Sequence, residues 1–380
     1  MLAAPLLGLM FVAFFLPLIW LLAMSVYDAT IPDALPATME AVKEWEEGDV
    51  PDALYPALAA DLVRARENGS VQELARALNG RLPGIRTRIL SAARAITDPA
   101  TADRAFFSRL HSTWVEPQTW KIIRSGASPW TGFYLLSALD LRLDAEGHIA
   151  RVPNDQALFV TVFLRTFLVS AAVTALTVVL ALPVAYSAAQ APRSVAALVI
   201  ALVLLPFWTS VLVRTVSWMV LLQQEGMVNQ LLELLGIGKL QLMYSKAGLI
   251  LSMVYVQLPF TFLPIYGAMR NIPPQQLRAA YSLGARPLTA FWRIYLPQAR
   301  PGIAAGGLVT FILSVGYYLA PALIGGPGDR FISNTISNYI SVELNWHMAA
   351  ALSVVLLALT FCFYAAFGRY LSTPGQEVRK

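Results

Sequence analysis

The stretch QQLRAAYSLGARPLTAFWRIYLPQARPGI, residues 275–303, follows the turn-forming run Asn271-Ile272-Pro273-Pro274 and decides the reading of the chain. Its first part has helical spacing, with Leu277, Ala280 and Leu283 on related faces. Gly284 is placed to end that helix in a left-handed conformation. Pro287 suits the first turn of a second helix, on which Leu288, Phe291, Trp292 and Tyr295 supply an apolar face and which Pro297 is expected to stop. Arg278, Arg286, Arg293 and Arg300 recur through the same segment. A helix–turn–helix with an apolar face and a row of arginines fits an anionic lipid surface. It equally fits a soluble partner. Stiffness, a glycine hinge and attachment to two long apolar helices are the requirements for passing on a mechanical stroke.

The sequence around this hairpin is that of a membrane protein. Of the 380 residues, 57% are hydrophobic and 13% charged, against roughly 25% charged in soluble domains. Crossing hydrocarbon takes about 20 mostly apolar residues in a helix. Six stretches meet that length, at roughly 2–26, 160–189, 195–222, 247–269, 302–324 and 347–370. Pro17, Pro183 and Pro206 lie inside the first three, where neighbouring helices can re-satisfy the freed carbonyls. No Lys or Arg precedes the first stretch, its apolar run exceeds a signal core, and no clear A-x-A site follows, so an uncleaved helix is expected. The single cysteine, Cys362, lies in an apolar run and reads as a small buried apolar residue.

Residues 28–157 differ from the rest. They hold 18 of the 23 acidic and 14 of the 28 basic residues, a net charge of −4. Pro51, Asn68-Gly69, Asn79-Gly80, Pro83-Gly84, Asp98-Pro99 and Ser128-Pro129 punctuate them with turn signals. Between the signals, Val71, Leu74, Ala75 and Leu78 predict a helix, with Ser70 and Glu73 as a capping box at its start. The region reads as a mostly helical extramembrane insert with a small core of its own, helped by Trp45, Trp114, Trp120 and Trp130.

Six spans put both termini on one side. If that side is the cytoplasm, the connections there carry nine basic residues: Arg193, Arg270, Arg278, Arg286, Arg293, Arg300, Arg369, Arg379 and Lys380, with one acid, Glu377. The short outer connections carry Lys239, Lys246 and Arg330 against Glu225, Glu233, Asp329 and Glu343. The positive-inside bias therefore predicts cytoplasmic termini and an outer insert.

Residues 275–303 resemble the cytoplasmic signature loop of binding-protein-dependent ABC importer permeases, a pattern of E-A-A, three residues, G, a variable run, then F-x-x-I-x-L-P and P-G-I. Ala279, Ala280, Gly284, Ala285, Phe291, Ile294, Leu296, Pro297, Pro301, Gly302 and Ile303 match it, and Arg278 stands where that family usually has glutamate. Residues 204–237 and 324–353, with Gly325-Gly326-Pro327 and Asn345-Trp346, are similar to the spermidine/putrescine subgroup, as is the opening stretch with Leu16-Pro17 and Ser25-Val26-Tyr27. The resemblance implies an all-α type I ABC importer permease in a bacterial inner membrane. Its parts would be a first transmembrane helix (1–27), a periplasmic insert (28–157), a five-helix core (158–372) with a coupling loop (270–301), and a cytoplasmic tail (373–380). It implies a second permease subunit, two ATPase subunits that bind ATP and magnesium, and a periplasmic solute-binding protein. The chain itself has no G-x-x-x-x-G-K-[ST] segment, and no nucleic-acid partner is expected. ATP-driven closure of the ATPases would move the hairpin and rock the attached spans.

Charged groups inside spans default to functional candidates. Arg165 lies near an outer end and reads as snorkelling. Arg214 is deeper and could pair with a backbone carbonyl or Glu225, or line the pathway, with Trp208, Trp218, Tyr255 and Tyr317 as aromatic candidates beside it. A polyamine needs carboxylates or aromatic faces, and the spans contain no acid. An opine, an amino-acid derivative or ferric iron is the alternative cargo. A membrane enzyme is disfavoured because His111, His148 and His347 form no metal or catalytic spacing. A receptor on an anchor would not need five further spans.

Overall fold

Apolar length accounts for the longest helices of the computed structural model, which describes residues 4–45, 48–143, 148–153, 155 and 157–371. The tail 373–380, with Arg379 and Lys380, lies outside the described residues. The chain divides into two compact units, one of residues 1–152 with 339–355, the other of 153–338 with 356–380.

In the first unit, α1 (Ala4–Val26) tolerates Pro17 within an otherwise apolar run. It is followed by α2 (Thr30–Ala34), α3 (Pro36–Lys43), α4 (Leu54–Glu67), α5 (Val71–Arg81), α6 (Ile85–Ala95), α7 (Arg104–Leu110), α8 (Pro117–Arg124), α9 (Phe133–Ala138) and an antiparallel hairpin of β1 (Leu141–Leu143) and β2 (Ile149–Arg151). Leu54, Leu58, Leu62, Leu74 and Leu78 pack with Tyr55, Phe107, Trp114 and Trp120 in one apolar core. The Tyr55 and Trp120 rings meet edge to face at 5.3 Å, and Trp120 Nε1–H donates to the Trp114 carbonyl at 2.8 Å. A buried carboxylate, Asp61, accepts from the Thr38 hydroxyl and amide, each at 2.7 Å, and from Arg64 at 2.9 Å.

Several local expectations differ from what forms here. Trp130 is 67% exposed instead of joining the core. It bridges to Tyr27, just beyond α1, with ring centroids 5.2 Å apart. Ser70 is itself in a helical conformation (φ −82°, ψ −7°), so its hydroxyl cannot reach back to the Glu73 amide, which bonds the Ser70 carbonyl instead. The Asn79-Gly80 pair lies inside α5, where Asn79 Oδ1 accepts from the Gly84 amide at 3.0 Å and closes the next turn.

The second unit contains α10 (Phe159–Gln190), α11 (Arg193–Leu204), α12 (Val211–Leu221), α13 (Met227–Leu234), α14 (Lys246–Arg270), α15 (Pro274–Ser282), α16 (Pro287–Ala290), α17 (Leu296–Val315), α18 (Leu319–Leu323), most of α19 (Ile332–Ser341) and the later part of α20 (Trp346–Leu371). Its centre is the packing of α10, α14 and α17 on one another. Glycine permits the closest approach. A Cβ at Gly306 would fall 2.7 Å from the Thr261 carbonyl oxygen, and one at Gly302 would collide with the Ala268 Cβ. This is the small-residue mode of helix contact in membranes. Thr261 and Thr310 hydroxyls bond across the same seam at 2.5 Å.

Among the described residues, four helices are long and apolar enough to cross a membrane unbroken: Gly8–Val26, Phe159–Gln190, Lys246–Arg270 and Trp346–Phe367. The expected third span is instead bent by 97° between Arg193–Trp208 and Val211–Leu221. Pro206 has no amide to donate, Thr209 and Ser210 are extended, and the Ser210 hydroxyl caps α12 by accepting from the Val213 amide at 3.2 Å. The expected fifth span stops at Val315 and resumes at Leu319, and its polar and small residues keep α17 below the apolarity of the other four. Cys362, expected to be buried, is exposed on α20.

Candidate functional site

The segment 274–303 folds as a helical hairpin whose turn is fixed by Gly284. At φ +85° this glycine is left-handed, a conformation that costs other residues about 1–2 kcal/mol. The Ala285 amide donates to the Ala280 carbonyl at 3.0 Å and the Gly284 amide to the Tyr281 carbonyl at 2.9 Å, the paired bonds of a Schellman closure. Beyond the turn, Pro287 opens α16 as its residue type predicts. The helix does not stop at Pro297. A π-helical turn at Phe291–Tyr295 joins α16 to α17 and takes up the mismatch that a proline creates in the amide ladder, and Gln298 Nε2 donates to the Ile294 carbonyl at 2.8 Å. The second arm of the hairpin is therefore the start of α17, with no joint between them.

The base of the hairpin is anchored. Tyr295 is buried, its hydroxyl donates to the Met269 carbonyl at 3.2 Å, and its ring meets Tyr186 of α10 at 5.1 Å. Phe291 meets the same Tyr186 ring at 5.1 Å. Arg270 at the end of α14 donates to the Ala189 carbonyl at 2.8 Å. Ala280 is buried, Ala285, Ile294, Leu296 and Pro297 are half-buried, and Arg278 and Ala279 are exposed. Arg278 makes no ion pair among the described residues. The tip presents apolar side chains outward, with Leu283 89% and Leu288 74% exposed and Trp292 beside them. Leu288 and Trp292 are the exposed members of the apolar face expected on this arm. Of the same face, Tyr295 is buried and Phe291 half-buried.

The pathway candidates do not form one group. Arg214 is buried on α12, 9% exposed, with its Nε lacking a hydrogen-bond partner and no carboxylate among the described residues paired to it. Glu225, the acid expected near it, is engaged by Lys239 at 2.8 Å. Tyr317 lies within electrostatic reach of Arg214, its hydroxyl near Thr215 but outside hydrogen-bond geometry. Trp218 meets Tyr255 edge to face at 5.4 Å and packs on the same apolar cluster as Tyr317. Trp208 stands 89% exposed at the bend before α12. Arg165 reaches the Arg330 carbonyl at 3.5 Å. Among the described residues no cluster of potential metal ligands occurs.

Long apolar helices in glycine-mediated contact, joined by a hairpin that projects an apolar tip, define a polytopic membrane protein. The chain belongs to the binding-protein-dependent transport system inner membrane components, whose family pattern matches residues 157–373. It thus has the all-α type I ABC importer permease fold. The family is one of transport components and not of enzymes. An inner membrane ABC transporter permease, YdcU of Escherichia coli, is 36% identical over 44% of this chain and 58% of its own length. The spermidine/putrescine permease PotB of Haemophilus influenzae is 34% identical over 44% of this chain and 61% of its own length. The matched part thus spans about three fifths of these curated relatives. A solved bacterial alginate ABC transporter, in complex with an alginate-bound periplasmic protein, aligns with 57% of this chain and 80% of its own at 19% identity and a TM-score of 0.46, too distant to add to the argument.

Proposed function

We propose that this chain is one transmembrane permease subunit of an ATP-driven importer and supplies half of a solute pathway. Residues 274–297 are its coupling element. The observation that carries this reading is the hairpin itself: a turn locked at Gly284, an exposed apolar tip at Leu283, Leu288 and Trp292, and a second arm continuous with α17. A push on the tip is delivered to α17 and, through the Gly302 and Gly306 contacts, to α14. The partners are a second permease, two ATPases that bind ATP and magnesium, and a periplasmic solute-binding protein. Arginine placement supports cytoplasmic termini and an outer insert of residues 28–157. That insert would be a docking face for the binding protein or a brace on the partner permease.

The cargo is a polyamine of the spermidine/putrescine type, on the strength of the PotB relatives. One observation favours a second reading. Arg214 is a buried cation with no carboxylate paired to it among the described residues, which suits a solute carrying a carboxylate, such as an opine or amino-acid derivative. ATP-dependent uptake into proteoliposomes holding the whole complex tests both. Accumulation of spermidine supports the first cargo. Accumulation of a carboxylate solute, lost in Arg214→Gln, supports the second. A complex whose ATP hydrolysis is stimulated by no loaded binding protein contradicts the importer reading.

A further inference from the structure

In the unit that contains the insert, three segments distant in sequence meet at His347, the second residue of α20. Its Nδ1 lies 2.9 Å from the carbonyl oxygen of Met24, near the end of α1. Its Nε2 lies 3.5 Å from Oδ1 of Asp28, a carboxylate only 3% exposed. Its ring stacks on Tyr134 of α9, with centroids 5.4 Å apart and planes within 23°. The Tyr134 hydroxyl donates to the other Asp28 oxygen at 2.6 Å, and the Thr30 amide donates to Oδ1 at 2.9 Å.

Both oxygens that face the imidazole can only accept. A neutral imidazole has one N–H and one lone pair, so either tautomer would turn a lone pair towards an oxygen. The imidazolium alone offers a donor to each. Asp28 is kept charged for it: burial pushes its pKa up, but the bonds from Thr30 and Tyr134 and the nearby His347 outweigh this and hold it below the ordinary carboxylate value. Tyr134 stays protonated, since burial and the Asp28 charge both raise its pKa. Arg81 of α5 is the remaining charged group in electrostatic contact with Tyr134 and Asp28. It lies over the Phe133 ring at 5.0 Å and donates to the Ser125 carbonyl at 2.8 Å, and as a guanidinium it keeps its charge throughout. Among these groups, histidine is the side chain whose charge changes between about pH 5 and 8.

We propose that the Met24 carbonyl, Asp28 and Tyr134 form a proton-binding site around His347, which fastens the end of α1 and the α9 segment to the start of α20 when the imidazole is protonated and releases them when it is not. The site lies outside the coupling hairpin and stands whether or not the transport reading holds. The fastened form carries the proton, so its loss loosens the fastening.

Hydrogen exchange on the purified full chain in lipid nanodiscs tests this, at about pH 5.5 and about pH 8, corrected for the chemical exchange rate. Peptides covering 22–31 and 130–138 should be about tenfold better protected at the lower pH. In His347→Gln they should be equally and weakly protected at both. A peptide from α4 serves as control and should not follow pH. Wild-type protection at 22–31 and 130–138 that is independent of pH overturns the proposal whatever the yield of the variant. PH dependence that survives in His347→Gln overturns it too.

Discussion

Tyr134 shows how much one hydroxyl can hold. It supplies one of the donors that keep the buried Asp28 carboxylate charged. Tyr134→Phe removes that donor without changing the packing and should cost about 1–3 kcal/mol, read as a lower melting temperature of the purified chain. The sign of the pH effect follows from Asp28. Its folded pKa lies below its unfolded value, so its contribution is present above the unfolded pKa of about 3.9 and disappears as pH falls through the folded one. Melting temperatures measured from about pH 5 down to about pH 2.5 should therefore fall more steeply for the wild type than for Asp28→Asn. Parallel curves would show that Asp28 gains nothing on folding. Some residues of this kind could be read directly. Gly284 and Pro287 sit where local backbone geometry demands them, and local demands are written in the sequence. His347 could not be read that way. Its significance lies in an oxygen 323 positions away, and no spacing rule reaches so far.

Among elements, α17 matters most and was the least legible. Pro297 reads as a helix stop because proline breaks an α-helical ladder. The π turn just before it removes the conflict, and a π turn depends on packing against Tyr186 and leaves no periodic signal. Apolar length marked 302–324 as a span, but the helix starts at Leu296, breaks at Val315 and is central because Gly302 and Gly306 let it close on α14. Gly306→Leu would place a side chain against the Thr261 backbone and should destabilise the chain by about 1–3 kcal/mol or more. Thermal unfolding in detergent would register the loss. Gly267→Ala, at an α14 position with open space around it, should leave the melting temperature within about 1 °C of wild type. The bend at Thr209–Ser210 was half legible. Pro206 was expected to be tolerated within one continuous apolar span, and the chain bends just after it.

For the whole molecule, hydrophobic blocks and arginine placement gave the membrane reading, while among the described residues the buried Arg214 Nε has no hydrogen-bond partner. The proposed orientation predicts that, in a Cys362→Ser background, a cysteine at Arg278 reacts with an impermeant maleimide only from the cytoplasmic side. A cysteine at Ser91 in the insert should react only from outside. Labelling of both from one side would contradict the sidedness drawn from the nine basic residues. The central claim is that the hairpin 274–297 is where ATP hydrolysis enters this subunit, and Gly284 gives the cleanest probe of it. Nothing lies within 4 Å of a Cβ there, so Gly284→Val acts first by straining the left-handed turn. The decisive measurement is ATPase activity co-purified with the tagged full chain from native membranes. The account predicts that wild-type chain carries an ATPase whose hydrolysis rises with the loaded binding protein, and that Gly284→Val, with unchanged expression and membrane insertion, loses at least about tenfold of it. Wild-type chain without an ATPase, or a Gly284→Val chain that keeps full stimulated activity, would contradict the account.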